Sequence, residues 1–327
     1  MKAFVTGATG FIGGHIVEDL LSTGIEVRVL IRDKRRAGAF EEKGVECVVG
    51  DILDENVLGR GTRDADIVFS AFGILGGWGI PERRYRDINT RGVELLLESC
   101  LGRGIRQFIH VSSAGVLGPI PDGAVADETF PPRPSNVYER TKAEAERRVS
   151  EVGLAEGIPF TIIRPEFVYG PGDRHVLHLF RTIRDQRFYV LGAGRSLLHP
   201  TYIEDLIRGI RLCVNNPGAV GKIYLITGER PYAVDEFARI IAEELAVALP
   251  GIKIPLSLAR IAAKAMETGA RITRRNPLLT TSQVRFFSEN RAFTWEKARS
   301  ELGFAPRVSL RQGVRKTVSW YRREGLL

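Results

Sequence analysis

Short apolar runs alternate with stretches of helical spacing through the first half of the chain. Ala3-Phe4-Val5 reads as a strand. From Phe11 to Ser22, Ile12, Ile16, Leu20 and Leu21 recur on one side of a helix. Residues 26–31 read as a second strand, and 45–49, 67–70, 108–111 and 160–163 as further ones. Helical patterns at 89–101 and 136–152 separate them. This alternation predicts right-handed crossovers and a doubly wound parallel sheet, an α/β fold of Rossmann type.

Beyond Gly170 the rhythm changes. Pro171-Gly172-Asp173 is turn chemistry. A helix is expected at 204–212, a strand at 223–226 and a helix at 234–249 that Pro250-Gly251 breaks. An amphipathic stretch covers 256–270, and a helix closes the chain near 310–323. No repeat or low-complexity linker appears. Residues 1–170, with returning segments near 199–228, are expected to form the sheet domain. Residues 171–327 are expected to form mainly a smaller α/β lobe over its open end.

Composition adds exclusions. The chain has 327 residues, 44% hydrophobic and 26% charged, which excludes a disordered or fibrous class. No apolar run reaches the ~18 residues of a membrane span. The N-terminus enters structure directly, so no secretory signal is expected. Cys47, Cys100 and Cys213 are far apart, as suits free buried thiols in a reducing, cytoplasmic setting. The net charge is +8, with dispersed arginine pairs, so no nucleic-acid partner is expected.

Thr6-Gly7-Ala8-Thr9-Gly10-Phe11-Ile12-Gly13 joins the first strand to the first helix. Gly7 permits a tight turn, Gly10 lets backbone approach a pyrophosphate, and Gly13 allows close helix packing. The helix start at Thr9, Phe11 and Ile12 would offer N–H groups to phosphates. A dinucleotide, NAD or NADP, is the implied cofactor. The second strand ends at Arg32, which favours a 2′-phosphate and so NADP, while the adjacent Asp33 could hold the ribose hydroxyl of NAD.

Tyr138 and Lys142 are four apart in a helical window and share a face. A free tyrosine, with a pKa of about 10, is a poor base at neutral pH. A nearby ammonium favours its phenolate. Ser113 stands at a strand end, 25 residues before Tyr138, and can orient a substrate oxygen. Ser112 and Ser113 are equally suited to capping a turn.

With these residues in place the chain resembles the extended short-chain dehydrogenase/reductase superfamily, in its NAD-dependent epimerase/dehydratase branch. The stretches that carry this are TGATGFIGGHI (6–16), GDILD (50–54), NTRGVELLLE (89–98), VSSAGVLG (111–118), YERTK (138–142), IRPEFVYGPGD (163–173), HPTYIEDL (199–206) and ARSELGFAP (298–306). The resemblance implies that Ser113, Tyr138 and Lys142 are catalytic. It implies adenine contacts from Asp51 and Ile52, and places Ala71, Phe72 and Gly73 beside phosphates and ribose. It sets Pro165, Phe167 and Val168 at the nicotinamide. It also implies a homodimer through the helices around 89–101 and 138–152, whose Val93, Leu96 and Leu97 could equally be core.

Nucleotide-sugar members carry Asn where this chain has Phe167, and Arg where it has Leu198. The expected reaction moves a hydride between the nicotinamide and a secondary alcohol or ketone carbon. The substrate is a small molecule, either a sugar nucleotide or an apolar one of the 3β-hydroxysteroid or ketone type. A non-catalytic dinucleotide sensor is the alternative from another class. Phe167, Leu198 and His199 are expected at the substrate, and Glu166 as a further acid or base. No metal is expected: His175 and His178 near Asp173 read as pocket or surface residues, and His15 and His110 as packing or local hydrogen bonding. The helix from 256 to 270, with Arg260, Lys264 and Arg271, reads as a wall of the substrate lobe, with a membrane surface as the less favoured alternative.

Overall fold

The computed structural model describes residues 1–327. Seven parallel strands form one sheet: β1 (Lys2–Thr6), β2 (Glu26–Ile31), β3 (Glu46–Val49), β4 (Ile67–Ser70), β5 (Gln107–Val111), β6 (Phe160–Pro165) and β7 (Lys222–Ile226). Their order is β7-β6-β5-β4-β1-β2-β3. Strand order reverses between β1 and β4, which leaves a crevice at their carboxyl ends where ligands of such sheets bind. Register there places Thr6 beside Ser70 and Ser70 beside His110. Ala3, Phe4 and Val5 have no exposed surface, as expected for strands covered on both faces.

Helices Phe11–Ser22 and Ile203–Cys213 pack against one another on one face. A cluster of 45 buried apolar residues begins there and continues through Phe180, Phe237, Val314 and Tyr321. One core therefore runs from the sheet into the C-terminal part. Helices Glu55–Gly61 and Val137–Glu156 cover a second cluster of 21 residues on the other face, together with the helix that begins at Glu82. That helix starts before the expected 89, runs as a π turn over Arg86–Arg91, and continues as Gly92–Glu98. Val93, Leu96 and Leu97 are buried in this second cluster, which is the core placement that the sequence had left open for them.

Other boundaries also moved. The helix expected over 234–249 is Val234–Leu245. Ala246 takes a left-handed φ of 60°, and Val247 N donates back to Ala242 O, so a Schellman closure ends it before Pro250. Helices Leu177–Arg184, Thr281–Ser288 and Glu296–Leu302 were not anticipated. The amphipathic stretch extends to Leu256–Thr273.

Candidate active site

β1 ends at Thr6, whose hydroxyl donates to Phe69 O at 2.7 Å and ties the ends of β1 and β4 together. Helix Phe11–Ser22 then starts with Gly10 as an extended N-cap. No side chain caps this end and no acid stands in its first turn, so its N–H groups remain for an anion. Gly7 holds φ +79°, and a Cβ there would lie 2.4 Å from Ala71 O. A Cβ on Gly13 would lie 2.2 Å from Gly7 O. Gly10 meets only Gly7 O, at 3.1 Å. Two glycines thus close backbone against backbone, and the third leaves a space that a Cβ would narrow. Thr9, Phe11 and Ile12 are half-buried around this turn. The arrangement fits the diphosphate of a dinucleotide.

At the end of β2, Arg32 is exposed. Asp33 caps the turn Lys34–Arg36 and is gripped by Arg35, whose Nε and Nη2 donate at 2.9 and 2.8 Å. Those contacts hold the Asp33 carboxyl below its ordinary range. Asp51 is half-buried and accepts from Leu53 N, while Ile52 packs inward toward Phe72. Ala71 and Phe72 are half-buried, and Gly73 is exposed. The next residue, Ile74, is held through both its N–H and C=O by the side chain of Asn89, at 2.7 and 3.1 Å. Asn89 Nδ2 also lies 3.1 Å from Thr141 Oγ1. A residue in the π turn therefore links the loop after β4 to the helix carrying Tyr138 and Lys142. π turns recur at functional sites.

Ser113 accepts from Gly115 N at 3.0 Å as it caps the turn Ala114–Leu117. The same hydroxyl, near Tyr138, lowers the phenol's pKa. Capping and substrate-facing roles are thus compatible in one hydroxyl. Loss of solvation pushes Tyr138 up to about 12 despite the Ser113 hydroxyl, with Glu166 and Glu139 adding to the rise and Arg291 opposing it. Lys142 is buried. Its Nζ donates to Val111 O at 2.7 Å and stands 3.5 Å from His110 Nε2. Loss of solvation draws its pKa down to about 8, against the pull of Glu146. Glu146 is itself clasped by Arg164 at 2.6 to 3.1 Å. With Lys142 charged, His110 Nε2 accepts and Nδ1 carries the proton toward Ser70 Oγ, 3.0 Å away. Burial and Lys142 keep His110 neutral.

Pro165 ends β6, and Glu166 follows it, 4% exposed. Loss of solvation raises the Glu166 carboxyl to about 7, with Arg291 opposing and Glu139 assisting. Arg291, 3% exposed, donates to Glu139 Oε1 at 2.8 Å and lies 4.9 Å over the Phe286 ring. Phe286 stacks on Phe167 at 5.7 Å, and Phe237 meets Phe167 edge-on at 5.4 Å. Phe167 holds φ +38°, a strained conformation for a non-glycine residue. Thr201 braces it: its hydroxyl donates to Glu166 O at 2.5 Å and its N–H to Phe167 O at 3.2 Å. Val168 pairs in register with Thr201.

Two expected substrate contacts need correction. Leu198 has no exposed surface and lies in the main core, paired to Tyr232, so it presents nothing to a ligand. His199 is a cross-brace. Its Nδ1 accepts from Phe293 N at 3.4 Å and its Nε2 meets Gly228 O at 3.0 Å. Both ring nitrogens are taken, and burial draws its pKa to about 4. His15 Nε2 meets Pro171 O at 2.9 Å. Asp173 accepts from the N–H groups of His175 and Val176 as a turn cap.

A dinucleotide cradle beside a Ser, Tyr and Lys cluster at the switch point of a parallel sheet defines a nicotinamide-dependent enzyme. The chain belongs to the NAD dependent epimerase/dehydratase family, whose model matches residues 3–227. It is 29% identical over 320 residues to a 4-hydroxy-2-methyl-3-oxo-4-farnesyl-3,4-dihydroquinoline-1-oxide ketoreductase of Stigmatella aurantiaca, covering 96% of this chain and 95% of the relative. It is 27% identical over 346 residues to 3beta-hydroxysteroid-dehydrogenase/decarboxylase isoform 1 of Arabidopsis thaliana, covering 96% and 78%. UDP-glucose 4-epimerase of Thermotoga maritima shares the fold, with a TM-score of 0.78 at 22% identity and 99% of both chains covered. The protein is accordingly an NAD-dependent enzyme of the oxidoreductase/epimerase class.

Proposed function

We propose that this enzyme interconverts a secondary alcohol and a ketone on an apolar, ring-bearing or prenylated substrate, with Tyr138 as the proton-transferring residue. The observation that carries the substrate class is the Phe167–Phe286 stack. Phe167 stands where nucleotide-sugar members carry an amide, and it offers no hydrogen bond to a sugar diphosphate. The names of the two relatives, a ketoreductase and a hydroxysteroid dehydrogenase, support the same reading.

When bound, the cofactor supplies the carbon that gives or takes the hydride. Ser113 holds the substrate oxygen next to Tyr138. The Tyr138 hydroxyl gives its proton to that oxygen in reduction and recovers it in oxidation. Lys142 stands one turn along with a donor to spare for the nicotinamide ribose. Gly7, Gly10 and Gly13 hold the diphosphate. Arg32, free where Asp33 is engaged by Arg35, favours NADP over NAD. The free thiols suit a reducing, cytoplasmic setting, and 171–327 outside β7 and helix Ile203–Cys213 supplies most of the substrate lobe.

The test is a turnover assay with hydroxysteroids, prenylated cyclic ketones and UDP-glucose, each with NADH or NADPH. Turnover of the apolar compounds, faster with NADPH, is expected. Turnover of UDP-glucose alone overturns the substrate reading, and equal rates with the two cofactors overturn the role of Arg32.

A further inference from the structure

Helix Leu256–Thr273 is anchored thinly. Among its residues only Ala259, Ala263 and Ala270 are buried. Ala259 and Ala263 join Val284 in a cluster of three. At ~100° per residue these three alanines fall within about 40° of arc. Leu258, Ile261 and Ile272 lie almost opposite, within about 60° of one another. They are 57, 65 and 80% exposed, and Leu278 just beyond the helix is 86% exposed. An inward stripe of alanines and an outward stripe of larger aliphatic side chains is the reverse of a helix that serves only as a wall.

Charge is distributed to match. Residues 251–288 hold seven cations and one carboxylate, Glu267, so six of the chain's eight net positive charges sit in this segment. Glu267 is turned inward onto Thr281, accepting from its N–H and hydroxyl at 2.8 and 3.0 Å. Arg260, Lys264 and Arg271 form a row beside the outward stripe and are exposed. None of them is in an ion pair in a protein that has 31 such pairs. Arg271 reaches across to Trp78, 5.9 Å from its ring centroid. Trp78 belongs to the loop after β4, which also exposes Leu75, so the cation row reaches a loop at the carboxyl edge of the sheet where the crevice opens.

We propose that this face docks on an anionic lipid bilayer, with the helix Leu256–Thr273 lying in the interface and the crevice mouth turned toward the lipid. Exposed aliphatic side chains beside unpaired cations match an acyl boundary under anionic headgroups. A second copy of the chain would set the exposed Arg260, Lys264 and Arg271 against their own copies across a two-fold axis, like charge on like. The proposal does not depend on the substrate class.

The experiment is cosedimentation of the full-length protein with phosphatidylcholine vesicles, with and without phosphatidylglycerol, across a salt series. Binding is expected on the anionic vesicles, loosening as salt rises. Ile261→Gln with Ile272→Gln should release the protein while leaving its thermal melt in place. Arg260→Gln, Lys264→Gln and Arg271→Gln together should weaken binding ~100-fold, from about 1 kcal/mol per charge. Absence of binding to anionic vesicles overturns the proposal, as does binding that neither variant changes. Self-association of the wild type that Ile261→Gln with Ile272→Gln abolishes also overturns it, because a second copy would then cover the face.

Discussion

Arg291 Nη2 donates to Glu139 Oε1 at 2.8 Å, and both side chains are 3% exposed. The pair joins the C-terminal part of the chain to the helix of Tyr138, one residue from the phenol. Lys142 was the cation expected to sustain the Tyr138 phenolate. Lys142 is held on Val111 O, and Arg291 is a further cation whose field lowers the Tyr138 pKa.

Arg291→Gln should therefore act twice. It leaves Glu139 buried without its cation, a loss of about 3–5 kcal/mol. It also removes a field that favours the phenolate, so the Tyr138-dependent limb of kcat/KM should move to higher pH. Urea denaturation reads the first effect and the pH profile reads the second; Arg291→Lys should restore the profile more than the stability.

Lys142 predicts a pH-dependent stability. Its pKa falls from 10.5 in the free residue to about 8. Between those values the unfolded chain binds the extra proton, so stability rises with pH there. Lys142→Met should be more stable than wild type at neutral pH by about 1–3 kcal/mol. The gap should narrow from about pH 8 to 10.5. Denaturation midpoints at several pH values read this.

Glu166 has the opposite sign. Its carboxyl rises from 4.5 to about 7, so the folded state holds a proton that the unfolded state has released, and stability falls as pH climbs through that window. Glu166→Gln should match wild type below the window and exceed it by about 2 kcal/mol above it. If Glu166 passes protons during turnover, the same substitution removes an ionisation near neutrality from the rate profile.

The glycines separate packing from binding. Gly13→Ala puts a Cβ 2.2 Å from backbone that cannot yield, so it should cost about 1–3 kcal/mol and abolish cofactor binding. Gly10→Ala meets the same Gly7 oxygen at 3.1 Å, a much smaller conflict, so it should lower the melt less than Gly13→Ala while still weakening the dinucleotide. Calorimetry with NADPH, beside thermal melts, distinguishes the two.

Much of this was legible because it is local. The glycine spacing, the strand-to-helix turn and the Tyr138–Lys142 interval are short-range patterns with one steric meaning each. Helix Phe11–Ser22 and the last helix, Leu310–Arg323, fall where their periodicity put them. The readings that failed depended on distant partners. His199 looked available for substrate, but Phe293 and Gly228 occupy its nitrogens from far along the chain. Leu198 was read from its place in a motif, whereas strand pairing with Tyr232 sends it into the core. Arg291 lies 152 residues from Glu139, and no spacing rule connects them. Asn89 works through a π turn, which apolar periodicity does not reveal.

The proposed reaction rests on Tyr138 moving the proton in a reduction or oxidation at an alcohol carbon. The most direct test compares wild type with Tyr138→Phe for NADPH binding and for turnover of an apolar ketone. Unchanged cofactor affinity with turnover reduced ~10²–10⁴-fold is the predicted result. Turnover equal to wild type would contradict it.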